Sequence, residues 1–141
     1  MKLRQLSRRV SQHFDALLAQ ADLKTTQYSL LSQIQALGPI RPGALAQAME
    51  MDASTLTRNL QPLLAQGWVT LGPGADGRSR LVQISASGRA KRAQAQRAWK
   101  RAQQAFNARL GGERVARLHA LLEECLETLH EPATPAADTA P

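Results

Sequence analysis

Five of the side chains between positions 54 and 61 combine hydrogen-bonding groups with one positive charge. They are three hydroxyls, a guanidinium and an amide, at Ser54, Thr55, Thr57, Arg58 and Gln61. Side chains of these types bind base edges and phosphates in the major groove of DNA. No Asp or Glu lies between Asp52 and Asp76, so no carboxylate there would repel a phosphate. We therefore predict that these five residues contact duplex DNA.

A second group of charged residues lies in the turn-rich segment 72–80, GPGADGRSR. This segment separates two short β-prone stretches, 68–71 and 81–84, so the three together predict a β-hairpin with a basic tip. Asp76, Arg78 and Arg80 are its candidate functional residues. For Asp76 the alternative is that it only forms the turn, because Asp is a common turn-forming residue. For Arg78 the alternative is that it is a solvent-exposed turn residue without a binding role.

The charge of the whole chain also favours a polyanionic partner. The 141 residues carry a formal net charge of +7, and nine of the 18 basic residues lie between Arg78 and Arg109 without an acidic residue among them. A solvated basic face is the alternative interpretation. Aromatic residues make up only 4% of the chain, which argues against the base-stacking surfaces of single-strand binders. Duplex DNA is the better match.

The elements that must position these residues follow from hydrophobic spacing and capping signals. Apolar residues recur every three or four positions in six predicted helices. The first spans 3–20, the second begins at its cap Thr25 and stops at Gly38, the third spans 42–49, the fourth follows the cap Asp52, the fifth spans 86–110 after Ser85, and the last runs to 130. The predicted fold class is mainly α with a small β-hairpin wing, a winged helix-turn-helix.

Four sequence stretches resemble the MarR family of bacterial transcriptional regulators over about residues 3–130. They are LKTTQYSLLSQI, GALAQAMEMDASTLTRNLQPLLAQGWV, the wing DGRSR, and LVQISASGRA. The resemblance implies a homodimer whose two winged domains span a pseudo-palindromic DNA site. It also implies that Arg78 enters a minor groove and that Asp76 orients it. The wing is short and rich in Gly and Pro, and no cysteine lies near the N-terminus, so a peroxide-sensing thiol is not expected.

Four segments are predicted: an N-terminal dimerisation helix (1–24), the winged domain (25–88), a long helix with a C-terminal dimerisation helix (89–130), and a disordered tail (131–141). The apolar stripes of the first and last predicted helices offer more apolar surface than one small domain covers, which is typical of an interface. The predicted interface residues are Leu3, Leu6, Val10, Val115, Leu118, Leu122, Cys125 and Leu129. The alternative is that both terminal helices fold back onto their own winged domain. Cys125, set among leucines, is predicted to be a small buried hydrophobic residue.

A small aromatic ligand, a phenol or a carboxylate, is implied by the family resemblance. The expected pocket wall combines apolar side chains with a polar or charged group. Its residues are Arg9, His13, Phe14 and Leu17 from the first helix, with Tyr28 and Leu31 from the second. The alternative is that His13 and Tyr28 are partly exposed residues at the edge of the core. Trp99 is expected to belong to the core.

Other classes of function find little support in the sequence. It offers no set of catalytic residues, no Cys/His spacing for a metal, and no phosphate-binding loop for a cofactor. No apolar run is long enough for a membrane span, and no signal peptide is evident, so a cytoplasmic location is expected. The hypothesis is a dimeric repressor released from DNA by a ligand. The competing interpretations are a non-specific architectural DNA-binding protein and a winged-helix protein-interaction module.

Overall fold

The structure is a computed structural model that describes residues 1–74 and 76–130. Its elements are α1 (Lys2–Leu18) with a 3₁₀ turn (Ala19–Ala21), α2 (Thr25–Leu37), α3 (Pro42–Ala48), α4 (Ala53–Ala65), β1 (Val69–Pro73), β2 (Arg80–Ile84), α5 (Ala86–Leu110) and α6 (Gly112–His130). The predicted fold class, mainly α with a β-hairpin, is confirmed. The predicted tail 131–141 lies outside the described residues.

The helix-turn-helix forms where proline and aspartate mark the helix starts. Pro42 occupies the first turn of α3, where its missing N–H costs nothing. Glu50 has a positive φ of 53° in the tight turn that follows, and the Met51 N–H donates to the carbonyl of Ala46 at 2.9 Å. Asp52 then caps α4 as the sequence predicts. This short turn sets the direction in which α4 leaves α3.

The wing is a two-stranded antiparallel hairpin. Its register runs from the pair Val69 and Ile84 to the pair Pro73 and Arg80, so β1 extends two residues beyond the predicted stretch. Ile40, in the segment between α2 and α3, pairs with Val82 through two backbone hydrogen bonds of 3.0 and 2.8 Å. The wing is therefore held to the helix-turn-helix by backbone pairing as well as by side-chain packing.

One apolar core supports the winged elements. Its fully buried side chains come from the end of α1, from α2, α3, α4 and both strands: Leu18, Leu30, Leu31, Ile34, Leu45, Leu56, Leu63, Val69 and Val82. Ala95 and Ala98 of α5 belong to the same cluster, and their small side chains allow that helix to approach closely. The chain divides into a compact unit Met1–Gln103 and a second unit that begins at Gln104.

The start of α2 differs from the sequence prediction. Thr25 was expected to cap this helix, but it is the first helical residue and Lys24 occupies the N-cap position. The carboxylate of Asp15 in α1 accepts hydrogen bonds from the Thr25 backbone N–H at 2.7 Å and from its hydroxyl at 2.6 Å. The prediction was wrong because the capping group comes from another helix, ten residues earlier in the chain.

Helix α6 is largely exposed, although Val115 and Leu118 of the predicted interface are half-buried. None of its residues is buried in the described chain, and Leu122, Leu126 and Leu129 are 41%, 67% and 84% exposed. Cys125 is exposed as well in the chain by itself. Because the sequence places it in the dimer interface, its burial there stays a prediction.

Candidate nucleic-acid interface

The recognition face is the exposed side of α4. Ser54, Thr57, Arg58 and Gln61 are exposed, whereas Leu56, Leu60 and Leu63 are buried on the opposite side. Positions three, four and seven apart share one helix face, so the four exposed residues form a continuous polar strip. Thr55 was predicted to belong to this group, but it is only half-exposed and lies at its edge.

Asp52 fixes the first turn of α4. Its Oδ1 accepts hydrogen bonds from the Thr55 N–H and the Ser54 hydroxyl, both at 2.7 Å. These bonds, foremost that from the Thr55 amide, lower the pKa of Asp52 to about 2. The Thr57 hydroxyl donates to the carbonyl of Ala53 at 2.9 Å. The hydroxyls of Ser54 and Thr57 therefore already donate their hydrogens inside the protein. This leaves Arg58 and Gln61 as the main donors of α4 to a ligand.

Asp76 organises the tip of the wing through the backbone. Its Oδ1 accepts from the N–H groups of Arg78 and Ser79 at 3.0 and 2.9 Å, and its Oδ2 accepts from the Ser79 hydroxyl at 2.9 Å. These bonds, led by that from the Ser79 amide, lower the pKa of Asp76 to about 2. The resemblance implied that Asp76 orients the Arg78 side chain, but what it holds is the Arg78 amide. The Arg78 side chain is exposed.

Two further arginines lie near the wing. The Arg80 guanidinium donates to the carbonyl of Leu71 at 3.4 Å, so it turns back along the hairpin. Arg41, just before α3, lines a hollow of about 200 Å³ with Gly74, Asp76, Ser79 and Leu81, and its positive charge contributes to the lowered pKa of Asp76. Sequence reasoning missed Arg41, although a basic residue directly before the helix-turn-helix was a usable signal.

Comparison with known proteins identifies the family. A model of the MarR family matches residues 21–79. The multiple antibiotic resistance protein MarR of Salmonella typhimurium is 33% identical over 111 residues, which cover 77% of each chain. This chain belongs to the MarR family.

Solved structures of similar proteins agree with this membership. A mutant MarR from E. coli complexed with operator DNA has a TM-score of 0.80 at 25% identity, covering 88% of this chain and 90% of that one. The transcriptional regulator MosR of M. tuberculosis in complex with DNA has a TM-score of 0.73 at 31% identity, covering 92% and 96%. Our protein is thus a MarR-family transcriptional regulator, and its relatives are regulators rather than enzymes.

The basic run on α5 of this MarR-family regulator is partly engaged in packing. The Lys91 ammonium lies 5.4 Å from the centre of the Trp68 ring. The Arg92 Nε donates to the Ser32 hydroxyl at 3.0 Å, and Arg101 donates to the Gln20 amide oxygen at 3.1 Å. The charge count in the sequence therefore overstates how many of these side chains are available to a polyanion.

Two of the predicted ligand-pocket residues, Phe14 and Tyr28, contact the ring of Trp99. Phe14, Tyr28 and Leu31 are buried. The centre of the Trp99 ring lies 4.4 Å from the centre of the Phe14 ring and 5.2 Å from the centre of the Tyr28 ring. The His13 Nε2 lies 3.0 Å from the carbonyl oxygen of Ala102. Leu17 is half-buried and Arg9 is exposed. The aromatic members of the group thus pack against one another, and Trp99 joins the core as predicted.

Within residues 1–74 and 76–130, His, Cys, Asp and Glu side chains form no group of three that could hold a metal ion. No helix among these residues combines the length and apolar character that a membrane span requires.

Proposed function

We propose that this regulator is a homodimeric repressor that binds a pseudo-palindromic operator in duplex DNA. The observation that carries the proposal is the exposed, acid-free face of α4, fixed at its start by the Asp52 cap. Two of the similar solved structures are complexes with DNA, which supports the same partner here.

In this proposal α4 enters the major groove and the wing lies over the adjacent minor groove. The forked guanidinium of Arg58 suits guanine or phosphate, and the amide of Gln61 suits adenine. Arg78 at the wing tip suits a narrow minor groove, whose negative potential attracts arginine. The three side chains are exposed, so binding does not require the core to rearrange.

The proposed homodimer buries the leucines that the chain leaves exposed. At the N-terminal end, Leu3 and Leu6 are 55% and 40% exposed. At the other end, α6 exposes Leu121, Leu122, Leu126 and Leu129. Burial of apolar surface contributes roughly 25 cal/mol per Å², so a partner chain covering these residues would be strongly favoured. A two-fold dimer then presents one α4 to each operator half-site.

We further propose that a small phenol or aromatic carboxylate releases the DNA by binding at the ring cluster of Phe14, Tyr28 and Trp99. These rings are in contact, so the ligand must displace one of them, and a change in α1 or α5 would follow. Tryptophan fluorescence tests this with a panel of hydroxybenzoates. Quenching by a ligand should disappear in Trp99→Phe and persist in Trp68→Phe; the reverse pattern would move the site to the wing.

Fluorescence anisotropy with DNA selected from a random pool tests the DNA-binding proposal. At about 0.15 M salt, we expect much tighter binding to the selected duplex than to a scrambled one. Arg58→Ala should weaken binding by roughly 1.5–3 kcal/mol, the usual net value of hydrogen bonds made by a charged group. The matched control is Arg97→Ala, an exposed arginine on α5, which should change little.

Two other outcomes would replace the proposal. Equal affinity for selected and scrambled duplexes would indicate an architectural DNA-binding protein. Unchanged function with both Arg58→Ala and Arg78→Ala would indicate a protein-interaction module.

A further inference from the structure

A hollow of about 240 Å³ lies beside the recognition face, where the start of α2 meets α4. It is lined by Lys24, Thr26, Gln27, Arg58, Asn59 and Pro62. Two of these residues are cationic, and none of those lining the hollow in the described chain is acidic. We call this hollow, defined by these six residues, the basic notch.

Lys24 and Arg58 bring two positive charges to one hollow, so an anion bound there would be attracted by both. Lys24 and Arg58 come from different helices and are both exposed, so neither is forced into the notch by burial. Asn59 adds an amide, whose nitrogen lies 3.9 Å from the Met51 sulfur, a weak partner. The notch therefore offers several hydrogen-bond donors to one acceptor-rich group.

The position of Lys24 strengthens this argument. It is the N-cap residue of α2, where Ser, Thr, Asp or Asn is favoured because the side chain must accept a hydrogen bond. A lysine ammonium has no acceptor, and Asp15 bonds Thr25 at this helix start instead. The Lys24 backbone N–H donates to the Gln27 side-chain oxygen at 3.0 Å, so this helix start uses the backbone of Lys24 and does not depend on its ammonium group.

We propose that Lys24 and Arg58 together bind one phosphodiester of the DNA backbone, at the edge of the major groove that α4 enters. This inference rests on the proposed function and adds to it a contact outside the helix-turn-helix. The notch volume of about 240 Å³ is smaller than the roughly 300–1,000 Å³ of typical small-molecule pockets. A phosphate contact of this kind fixes the register of the protein on DNA without reading its sequence.

The salt dependence of binding tests the contact. Each phosphate neutralised adds about 0.9 to the slope of log affinity against log salt concentration. Lys24→Gln leaves Arg58 as the remaining cation at this phosphate, so it should reduce the slope by at most about 0.9 for each protomer bound, equally on a selected duplex and on a random-sequence duplex. Lys100→Gln, an exposed lysine of α5, is the matched control and should leave the slope unchanged.

A second variant separates charge from helix stability. Lys24→Thr removes the charge and supplies a favoured capping side chain, so it should fold at least as stably as the wild type and show the same reduced slope. Replacing single phosphates by neutral methylphosphonates then locates the contact. One position in each half-site should weaken wild-type binding more than it weakens binding by the Lys24→Thr protein, in which only Arg58 still contacts that phosphate.

The outcomes are distinct. If both Lys24 variants keep the wild-type slope of log affinity against log salt concentration, the inference is overturned and the proposed function still stands. Failure of the wild type to bind any duplex would overturn the proposed function itself. Titration with inorganic phosphate, followed by amide NMR, identifies the other source of the anion. If free phosphate binds the notch through Lys24 while the DNA slope is unchanged, the notch is an anion site and not a DNA contact.

Discussion

Asp76 is the residue whose local bonding has the clearest measurable consequence. It accepts hydrogen bonds from two amides and one hydroxyl at the wing tip, and its pKa falls to about 2. An unfolded aspartate titrates near pH 4. Because the folded pKa is the lower one, the stabilisation of the turn is complete above about pH 4 and is lost as the pH falls towards 2.

We predict that the wing tip loosens on acidification between about pH 4 and pH 2. The amide signals of Arg78 and Ser79, followed by NMR, should shift with a midpoint near 2, the pKa of Asp76. In Asp76→Asn these amides should no longer follow that titration. A midpoint at the ordinary aspartate value near 4 would show that the three hydrogen bonds do not form in solution.

At the residue scale, the sequence was sufficient where the partner lies close in the chain. Asp52 was predicted to cap α4 because an amide N–H that can donate to its carboxylate lies within three residues, and the Thr55 N–H fills that role. The Asp15–Thr25 cap joins two helices, so no local pattern revealed it. The Asp76 bond to the Arg78 amide was likewise missed, because the resemblance implied a role for Asp76 towards the arginine side chain.

The junction between the wing and α5 is the element most sensitive to a single methyl group. A Cβ placed on Gly88 would lie 2.0 Å from the carbonyl oxygen of Trp68. Ser85 and Ser87 hold the same junction, since their hydroxyls donate to the Gly67 carbonyl at 2.6 and 3.1 Å. Glycine is therefore required here because β1 and α5 approach so closely.

We predict that Gly88→Ala lowers the free energy of unfolding by about 1–3 kcal/mol, the usual cost of overpacking. Urea denaturation followed by circular dichroism measures this change. Gly43→Ala is the matched control, because a Cβ there has no neighbour within 4 Å in the described chain and Gly43 lies in α3. It should be neutral or stabilising, by up to about 1 kcal/mol. Equal effects of the two substitutions would contradict the close approach at Gly88.

At the element scale, periodicity predicted the helices better than the contacts between them. The predicted 86–110 helix agrees with the observed α5, and the Ser85 hydroxyl accepts from the Gly88 N–H at 3.1 Å. The pairing of Ile40 with Val82 could not be predicted, because these residues are distant in sequence and Ile40 lies in a loop. The ring contacts of Trp99 with Phe14 and Tyr28 are likewise tertiary.

For the whole molecule, the sequence predicts that the apolar stripe of α6 belongs to a dimer interface. The alternative is that both terminal helices fold back onto their own winged domain. No residue of α6 is buried in the described chain, and both interpretations stay predictions. The sequence placed Leu118, Leu122 and Leu129 on the interface stripe, and the structure adds Leu121 and Leu126 as exposed leucines.

We predict that the double substitution Leu122→Glu with Leu126→Glu converts the protein to a monomer. Four buried glutamates in one dimer would each lose hydration without a partner, which is far more costly than leaving the helix exposed. Sedimentation velocity measures the change in mass. DNA affinity should fall with it, because a monomer binds only one half-site. Leu37→Glu is the matched control. Leu37 is 43% exposed, much like Leu122 at 41%, but it lies at the end of α2 and not on α6. A double variant that stays dimeric, with Leu37→Glu monomeric, would place the interface on the winged domain instead of α6.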